Sequence, residues 1–240
     1  MADWNLSNSV LESYIKGFYG HGSYDAKYWF VGMEFGGGGS VAEIVSRIQG
    51  WHDRGSKELE DLAGPQGIQG NSRWFQPPYP LQPTWKQIIR IVLSAEGQPT
   101  TTDQLRAYQK DQLGRESGLD CILELLPLPS PGLNRWLFYP DSGLTYLQNR
   151  DTYTNHVAPM RIAHLREKID KHHPATVVFY GSGYEHWWRA IAGTEFKRCS
   201  IEKVLVARTE HTVFVITQHP TAFGLGNTYF EAIGQLVKTI

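Results

Sequence analysis

A strand-like run that leads into four consecutive glycines is the feature that most constrains how this chain folds. Residues 28–31 are Tyr-Trp-Phe-Val, and a run without polar alternation is typical of a strand buried on both faces of a parallel sheet. Gly32 ends the run, Glu34 follows two residues later, and glycines then occupy positions 36–39. Because Ser40 is a good helix cap and an amphipathic pattern follows it, a helix is predicted next. Strand, glycine loop and helix in this order predict a site at the carboxyl end of a sheet, whereas a glycine-rich connector with a surface glutamate is the alternative.

Further apolar runs repeat this pattern along the chain, separated by amphipathic stretches of helical period. Together with the first run they predict strands near residues 28–32, 120–125, 176–180, 204–207 and 213–217. We therefore expect an α/β fold, a three-layer α/β/α sandwich with a central, mostly parallel four-stranded sheet that excludes the short run at 204–207. With 240 residues, a single domain spanning 1–240 is the simplest division, because α/β folds often exceed about 200 residues undivided.

The composition excludes several classes of protein. No apolar run approaches the roughly 20 residues of a membrane span, and the N-terminus lacks the basic start and apolar stretch of a signal peptide, so we expect a cytoplasmic protein without membrane contact. The formal net charge of −1 means that any contact with nucleic acid must use a local basic patch. Cys121 and Cys199 are too few for a four-cysteine iron–sulfur cluster and are expected to be buried free thiols. No histidine spacing fits zinc, and we expect no metal, no cofactor and a monomer.

Two local patterns concern the segments between the strands. Residues 51–83 and 132–157 are rich in loop-forming and aromatic residues and are predicted to be irregular. Long stretches of this kind inside a compact domain are usually functional or mobile. Near the end of the sequence, Thr228 and Glu231 have the spacing of a capping box and predict the start of the last helix.

Polar side chains of catalytic type follow three of the predicted strands. Glu34, Glu124 and His219 each lie where a buried strand ends, and the carboxyl ends of parallel strands meet at one edge of a sheet, so the three are expected to share a cleft. Two carboxylates and a histidine suit hydrolysis or group transfer by general acid–base chemistry. Taken singly, each is better explained as a solvated loop or turn residue. The glycines at 36–39 are not followed by Gly-Lys-Ser/Thr, so a phosphate-binding P-loop is not predicted.

Four short motifs, in the same chain order, resemble those of the uracil-DNA glycosylase superfamily. They are Gly-Met-Glu-Phe-Gly at 32–36, Glu-Leu-Leu-Pro-Leu at 124–128, a helix–Pro–strand–Gly unit at 161–181, and His-Pro-Thr at 219–221. The first is most similar to the Gly-Met-Asn-Pro-Gly motif of the single-strand-selective branch. The resemblance covers most of the chain, but residues 51–83 and 132–157 have no counterpart in it.

The resemblance implies a protein that extrudes a nucleotide from DNA and hydrolyses its N-glycosidic bond, which leaves an abasic site. It implies that Glu34 orients or deprotonates the attacking water, and that His219 donates a hydrogen bond to the departing base. The residues that it places around the base are Glu124, Phe35, Gly36 and Gly37. The residues that it places on DNA, the expected partner, are Gly38, Gly181, Ser182, Thr221, Phe223 and Leu225, the last two as apolar wedges.

Two departures from the family motifs bear on the substrate. Glu124 stands where the family has a base-reading asparagine, and an ionised carboxylate only accepts hydrogen bonds. It therefore suits the N4 amine of cytosine and repels O4 of uracil, while a protonated Glu124 would also donate to N3 of cytosine. Glycines replace the aromatic residue that blocks bulk at C5 in the strict uracil branch. Together these departures predict a C5-modified cytosine, hydroxymethylated or glucosylated as in some phage genomes, and a role in defence against such phage.

Three other functions are compatible with the same residues. A uracil-DNA glycosylase of base-excision repair follows if Glu124 merely ends its strand. A catalytically inactive nucleic-acid-binding module on the same fold is favoured by the lack of basic composition and by Phe35 in place of the motif proline, whereas Glu34 favours an active enzyme. A small-molecule N-glycoside hydrolase would need neither a wedge nor a DNA groove.

Overall fold

The computed structural model describes residues 4–64, 72–132, 135–138 and 142–240. Within them, eight strands form one sheet. The strands are β1 (Gly20–His21), β2 (Tyr28–Glu34), β3 (Leu59–Glu60), β4 (Asp120–Leu126), β5 (Thr176–Tyr180), β6 (Lys197–Arg198), β7 (Leu205–Arg208) and β8 (Val213–Thr217). The α-helices of these residues are α1 (Asn8–Gly17), α2 (Val41–Asp53), α3 (Pro83–Ala95), α4 (Thr102–Asp111), α5 (Arg150–His172), α6 (Glu185–Ala192) and α7 (Asn227–Thr239).

The centre of the sheet consists of four adjacent parallel strands in the order β4-β2-β5-β8. These are the four central strands predicted from apolar runs, so the α/β class and the parallel centre of the sheet are confirmed. The sheet is not four-stranded, because β1 and β3 extend it beyond β4, while β7 and β6 extend it beyond β8. Strands β1, β3 and β6 have only two residues each, too few to produce a recognisable apolar run.

Helices cover both faces of this sheet, and each face has its own hydrophobic core. Alternate residues of a strand point to opposite faces, so neighbours such as Phe30 and Val31 enter different cores. One core packs α1, α2, α5 and α6 against the sheet, and the other packs α3, α4 and α7. Every residue of β4, β5 and β8 is buried, which explains why their sequences lack polar alternation. The described residues thus form a sheet between two layers of helices.

The helix after the glycine loop starts as predicted, whereas the second irregular stretch is shorter than predicted. Ser40 Oγ accepts a hydrogen bond from the amide of Glu43 at 3.2 Å, and this cap fixes the first turn of α2. Residues 132–157 are not irregular throughout, because α5 begins at Arg150 and Asn149 caps it. Asparagine is a favoured cap, so the sequence does contain a signal for this helix start.

The predicted capping box of α7 is wrong. Helix α7 follows Gly226 and has no side-chain cap, so Thr228 and Glu231 do not form the expected pair. Glu231 instead accepts hydrogen bonds from Arg90 at 2.8 Å and from the Thr100 hydroxyl at 2.6 Å. These contacts tie α7 to α3, so a long-range interaction replaces the local one that the spacing predicts.

The cysteines and the helices bear on two expectations drawn from composition. Cys121 and Cys199 are both free thiols. Cys121 is buried as predicted, but Cys199 is only partly buried, with its Sγ 3.7 Å from the carbonyl of Val204. None of the described helices combines the length and the apolar character that crossing a bilayer requires.

Candidate active site

A cavity of about 400 Å³ lies at the carboxyl ends of the central strands. Its volume is in the range of pockets that enclose small-molecule ligands. The cavity is lined by all six residues that were predicted to act in catalysis or to surround a base, namely Glu34, Phe35, Gly36, Gly37, Glu124 and His219. The structure therefore brings these residues together, while their roles stay predictions.

The order of the parallel strands explains why these side chains converge. Glu34 ends β2, Tyr180 ends β5, and Glu124 lies near the end of β4. His219 follows the last residue of β8 by two positions. Because these four strands are parallel neighbours, their carboxyl ends meet at one edge of the sheet, which is the usual place for a ligand site in α/β proteins.

Gly32 lets two of these side chains meet across an intervening strand. It is paired in register with Glu124 of β4, and Tyr180 of β5 lies on its other side. The Tyr180 hydroxyl donates a hydrogen bond of 2.7 Å to Glu124 Oε1. A Cβ atom at position 32 would lie 2.3 Å from both Glu124 Oε2 and the Tyr180 hydroxyl. Glycine is therefore required at this position for the Glu124–Tyr180 pair to form.

Glu124 is buried, and its Oε2 has no hydrogen-bond partner among the described residues. Burial raises the pKa of Glu124 to about 8; the Tyr180 hydrogen bond opposes this rise, and the nearby Glu34 charge adds to it. At neutral pH the side chain is therefore mainly the protonated acid. Such an acid donates through one oxygen and accepts through the other. The expected repulsion of uracil by an ionised Glu124 does not follow from this environment.

Glu124→Gln should flatten the pH dependence of stability. The pKa of Glu124 is raised from 4.5 to about 8, so between these values the folded chain holds a proton that the unfolded chain releases. The unfolding free energy of the wild type should therefore fall as the pH rises through this interval, and Glu124→Gln removes that contribution. Urea denaturation at both ends of the interval measures it. The exposed Glu202→Gln is the control, and an unchanged slope in Glu124→Gln would contradict the buried acid.

Arg150 holds the carboxylate of Glu34 at the cavity wall. Its Nη1 donates to Glu34 Oε2, and its Nη2 donates to Ser130 Oγ at 2.5 Å. The guanidinium also lies 5.3 Å from the ring centroid of Trp136. Burial raises the pKa of Glu34 above its ordinary value, and the charge and hydrogen bond of Arg150 oppose this rise. No described residue donates to Glu34 Oε1, so this oxygen is available to a water molecule.

The ring of His219 is oriented by Thr221. His219 Nδ1 accepts a hydrogen bond from the Thr221 amide at 3.2 Å and lies 2.9 Å from the Thr221 hydroxyl. Because a backbone N–H only donates, Nδ1 is the acceptor and the neutral ring carries its hydrogen on Nε2. His219 is exposed at the surface, and the partial desolvation that its surroundings still cause lowers its pKa, which favours this neutral form. Thr221 therefore orients the histidine ring; it is also exposed, and its predicted contact with DNA stays a prediction.

The backbone amides of two glycines that were predicted to contact DNA already donate hydrogen bonds within the protein. The amide of Gly38 donates to Glu43 Oε1 at 2.8 Å, and the amide of Gly181 donates to the Thr217 carbonyl at 3.0 Å. Both glycines are buried and neither lines the cavity. In this structure their amides are not free to bind a phosphate, because each already has a partner.

The remaining predicted DNA contacts differ in exposure. Ser182 Oγ accepts a hydrogen bond from Gln218 at 2.7 Å and is half-buried. Phe223 is fully exposed on the loop after His219. Leu225 is partly buried and packs against the core formed with α3, α4 and α7. Phe223 is therefore the better candidate for a wedge, because Leu225 is already engaged.

Most of the cavity wall comes from residues that sequence analysis did not single out. The segment 51–83 contributes Trp51, Arg54, Glu60, Leu62, Arg73, Trp74 and Gln82. Tyr14 and Phe18 come from the N-terminal helix and the residue after it, and His21 comes from β1. The only sequence signal for this half of the site is the presence of tryptophan and arginine in a segment that otherwise resembles a loop.

Comparisons with known proteins leave the site to be interpreted from its geometry. No protein-family model matches the chain, and no curated protein matches its sequence. Among the residues described, no three histidine, cysteine, aspartate or glutamate side chains are grouped so as to hold a metal ion. The functional conclusion therefore depends on the side chains around the cavity.

Proposed function

We propose that this protein is a monofunctional DNA glycosylase, which extrudes a nucleotide and hydrolyses its N-glycosidic bond to leave an abasic site. The observation that carries the proposal is the meeting of Glu34, Glu124 and His219 around one cavity. They supply, respectively, a base for water, a partner for a nucleobase edge and a donor for a leaving group. Extrusion is required because the sugar C1′ is inaccessible within stacked DNA.

Glu34 acts on the attacking water. As the C1′–N bond breaks, its electron pair passes to the base and C1′ becomes oxocarbenium-like, with positive charge on the sugar. The water oxygen bonds to C1′ and gives its proton to the Glu34 carboxylate, whose negative charge also stabilises the cation. Because Arg150 binds Oε2, the water is received by Oε1.

His219 acts on the departing base. Negative charge builds on the base as the bond breaks, and a donor aimed at that charge stabilises the transition state more than the ground state. The Nε2–H of a neutral His219 is such a donor. Its orientation is fixed by the Thr221 contacts at Nδ1, so little reorganisation is needed during the reaction.

The size of the cavity supports a modified cytosine as the substrate. The donors and acceptors of Glu124 do not, because they fit cytosine and uracil alike. A protonated Glu124 pairs with N3 and N4 of cytosine or with N3–H and O4 of uracil. The cavity of about 400 Å³ exceeds what a single pyrimidine ring fills, and a Cβ at Gly36 would meet no atom within 4 Å. This supports hydroxymethylated or glucosylated cytosine, and hence defence against phage with such DNA. Uracil in base-excision repair is the second candidate, because a neutral Glu124 accepts it equally.

Two exposed side chains support DNA over a small N-glycoside. Phe223 projects from the loop after His219, where it can fill the gap left by an extruded nucleotide. Arg73 lines the cavity, is exposed, and stacks on Trp74 at 4.2 Å. No described carboxylate pairs with Arg73, so its charge is available to a phosphate.

Base release from matched duplexes tests the proposal. Four duplexes carry, at one position, uracil, cytosine, 5-hydroxymethylcytosine or its glucosylated form, and hot alkali then cuts any abasic site. We expect cleavage at the modified cytosines. Release of uracil with none from any cytosine derivative would establish the repair enzyme instead. Binding without cleavage of any duplex would leave an inactive DNA-binding module.

Arg150→Gln should move the acid limb of the pH–rate profile to higher pH. Base release requires ionised Glu34, and Arg150 lowers the pKa of that carboxyl. Removing the positive charge raises the pKa, so activity is lost earlier as the pH falls. Measurement of kcat/KM across the acid range reveals the shift. Arg150→Lys keeps the charge and should retain most of the wild-type limb, while Arg166→Gln on the same helix is a distant control. An unmoved limb in Arg150→Gln would show that Arg150 does not tune Glu34.

A further inference from the structure

Five arginines lie in or beside the wall of the cavity. Glutamates offset the charge of three of them, in the pairs Arg47–Glu43, Arg54–Glu60 and Arg150–Glu34. Arg73 and Arg135 are exposed, and no described carboxylate pairs with either of them. Because the formal net charge of the chain is only −1, contact with nucleic acid needs a local basic patch. These two unpaired arginines supply one at the cavity.

Arg73 lies on the side of the cavity that α3 helps to form. It lines the cavity, and its guanidinium is 4.2 Å from the ring centroid of Trp74. The Trp74 ring packs edge-to-face against Trp85 of α3, with the ring centroids 6.4 Å apart. The Trp74 carbonyl accepts a hydrogen bond of 3.0 Å from the buried Gln109. The backbone that presents Arg73 is therefore held in place on this side.

Arg135 lies on the other side, beside the glycine loop that precedes α2. Its Nη2 donates to the Gly39 carbonyl at 3.3 Å, and its own carbonyl accepts a hydrogen bond of 3.1 Å from Ser130 Oγ. Helices α2 and α3 pack on opposite faces of the sheet. The cavity at the end of the sheet therefore lies between the two unpaired arginines.

A nucleotide extruded into this cavity would leave its two flanking phosphates outside. The base enters the cavity, while the sugar–phosphate backbone crosses its mouth. We propose that Arg73 and Arg135 bind these two phosphates, one from each side of the cavity, and so hold the strand from which the base is removed. A guanidinium suits this task because its planar fork pairs with two phosphate oxygens at once.

The proposal rests on the proposed glycosylase function and gives a role to two segments that it leaves unexplained. Arg73 belongs to the segment 51–83 and Arg135 to the segment 132–157. Neither segment has a counterpart in the glycosylase motifs that the sequence resembles. Each supplies one unpaired arginine to the cavity, from opposite sides.

The salt dependence of DNA binding tests the two contacts. The probe is a duplex with one tetrahydrofuran residue, a stable analogue of an abasic site, so the test does not depend on which base is removed. Each phosphate contact contributes about 0.9 to the slope of log K against log salt concentration. Arg73→Gln and Arg135→Gln should therefore each reduce the slope by about 0.9, and the double variant by about 1.8.

Arg166→Gln is the matched control for both variants. Arg166 is an exposed arginine of α5 that, like Arg135, donates to a backbone carbonyl, here that of Ala190 at 3.4 Å, and has no described carboxylate partner. It does not line the cavity, so Arg166→Gln should keep the wild-type slope. If Arg73→Gln and Arg135→Gln behave like Arg166→Gln, neither arginine binds a phosphate and the proposal is wrong.

Uncharged linkages assign each arginine to its phosphate. A methylphosphonate, which carries no charge, replaces in turn the phosphate on the 5′ side and on the 3′ side of the tetrahydrofuran residue. Each replacement should weaken binding by the wild type. In Arg73→Gln one of the two replacements should no longer matter, and in Arg135→Gln the other. If both replacements weaken both variants as much as the wild type, the arginines do not contact the flanking phosphates.

Base release, measured separately, distinguishes failure of this proposal from failure of the proposed function. If no duplex releases a base but the slopes and the uncharged linkages behave as expected, the arginines hold DNA in a protein that is not a glycosylase. If a base is released and the variants bind with the wild-type slope, the glycosylase proposal stands and the two contacts are refuted. A wild type that does not bind the tetrahydrofuran duplex also refutes the contacts.

Discussion

Glu34→Gln is expected to lower the rate of base release by roughly 10²–10⁴-fold, the usual scale for a positioned base. The amide has the same volume and still accepts a hydrogen bond from Arg150, so the cavity wall is retained. It cannot take a proton from water at neutral pH or offset positive charge on the sugar. Single-turnover assays with saturating enzyme separate this chemical step from DNA binding.

The exposed Glu202→Gln makes the same chemical change away from the cavity and should keep wild-type activity. Circular dichroism and thermal denaturation check that Glu34→Gln folds normally. A wild-type rate in Glu34→Gln would show that the residue belongs to a loop and takes no part in the reaction.

His219→Ala is expected to slow base release by about 10²–10³-fold, the cost of one donor lost from a developing negative charge. The factor by which His219→Ala slows base release should be smaller for bases that are better leaving groups, because less negative charge then needs stabilisation. A purely structural role would reduce release of all bases by the same factor. Rates for a series of bases with different acidity therefore distinguish the two roles.

His211→Ala provides the matched control for His219. His211 is exposed and precedes β8, at the opposite end of the strand from the cavity. This variant should release bases at the wild-type rate. If His219→Ala behaves like His211→Ala, the imidazole does not contact the departing base.

The central part of the fold and the convergence of Glu34, Glu124 and His219 were predictable from sequence. Long apolar runs identify strands buried on both faces, and parallel order then brings the residues at their ends to one edge. The two-residue strands β1 and β3 were not predictable, because two residues carry no periodicity. Consequently the part of the cavity wall that these strands supply, His21 and Glu60, was missed.

Features that depend on tertiary contacts also escaped prediction. The spacing of Thr228 and Glu231 is that of a capping box, but Arg90 competes for Glu231 through a long-range hydrogen bond. Glu124 has an ordinary position at a strand end, and it is burial, with the nearby charge of Glu34, that raises its pKa to about 8. A sequence motif does not encode the dielectric environment of its side chains, so protonation had to come from the structure.

The most direct test of the proposed function is identification of the base that the protein releases. The wild type and Glu34→Gln are each incubated with a duplex containing glucosylated 5-hydroxymethylcytosine, and mass spectrometry quantifies the free base and the abasic sites. The proposal predicts intact modified base in equal amount to abasic sites from the wild type, and a roughly 10²–10⁴-fold lower rate from Glu34→Gln. Two results would contradict it. The first is that no free base is released from this duplex, nor from duplexes containing unglucosylated 5-hydroxymethylcytosine or uracil. The second is that both proteins release the base at equal rates.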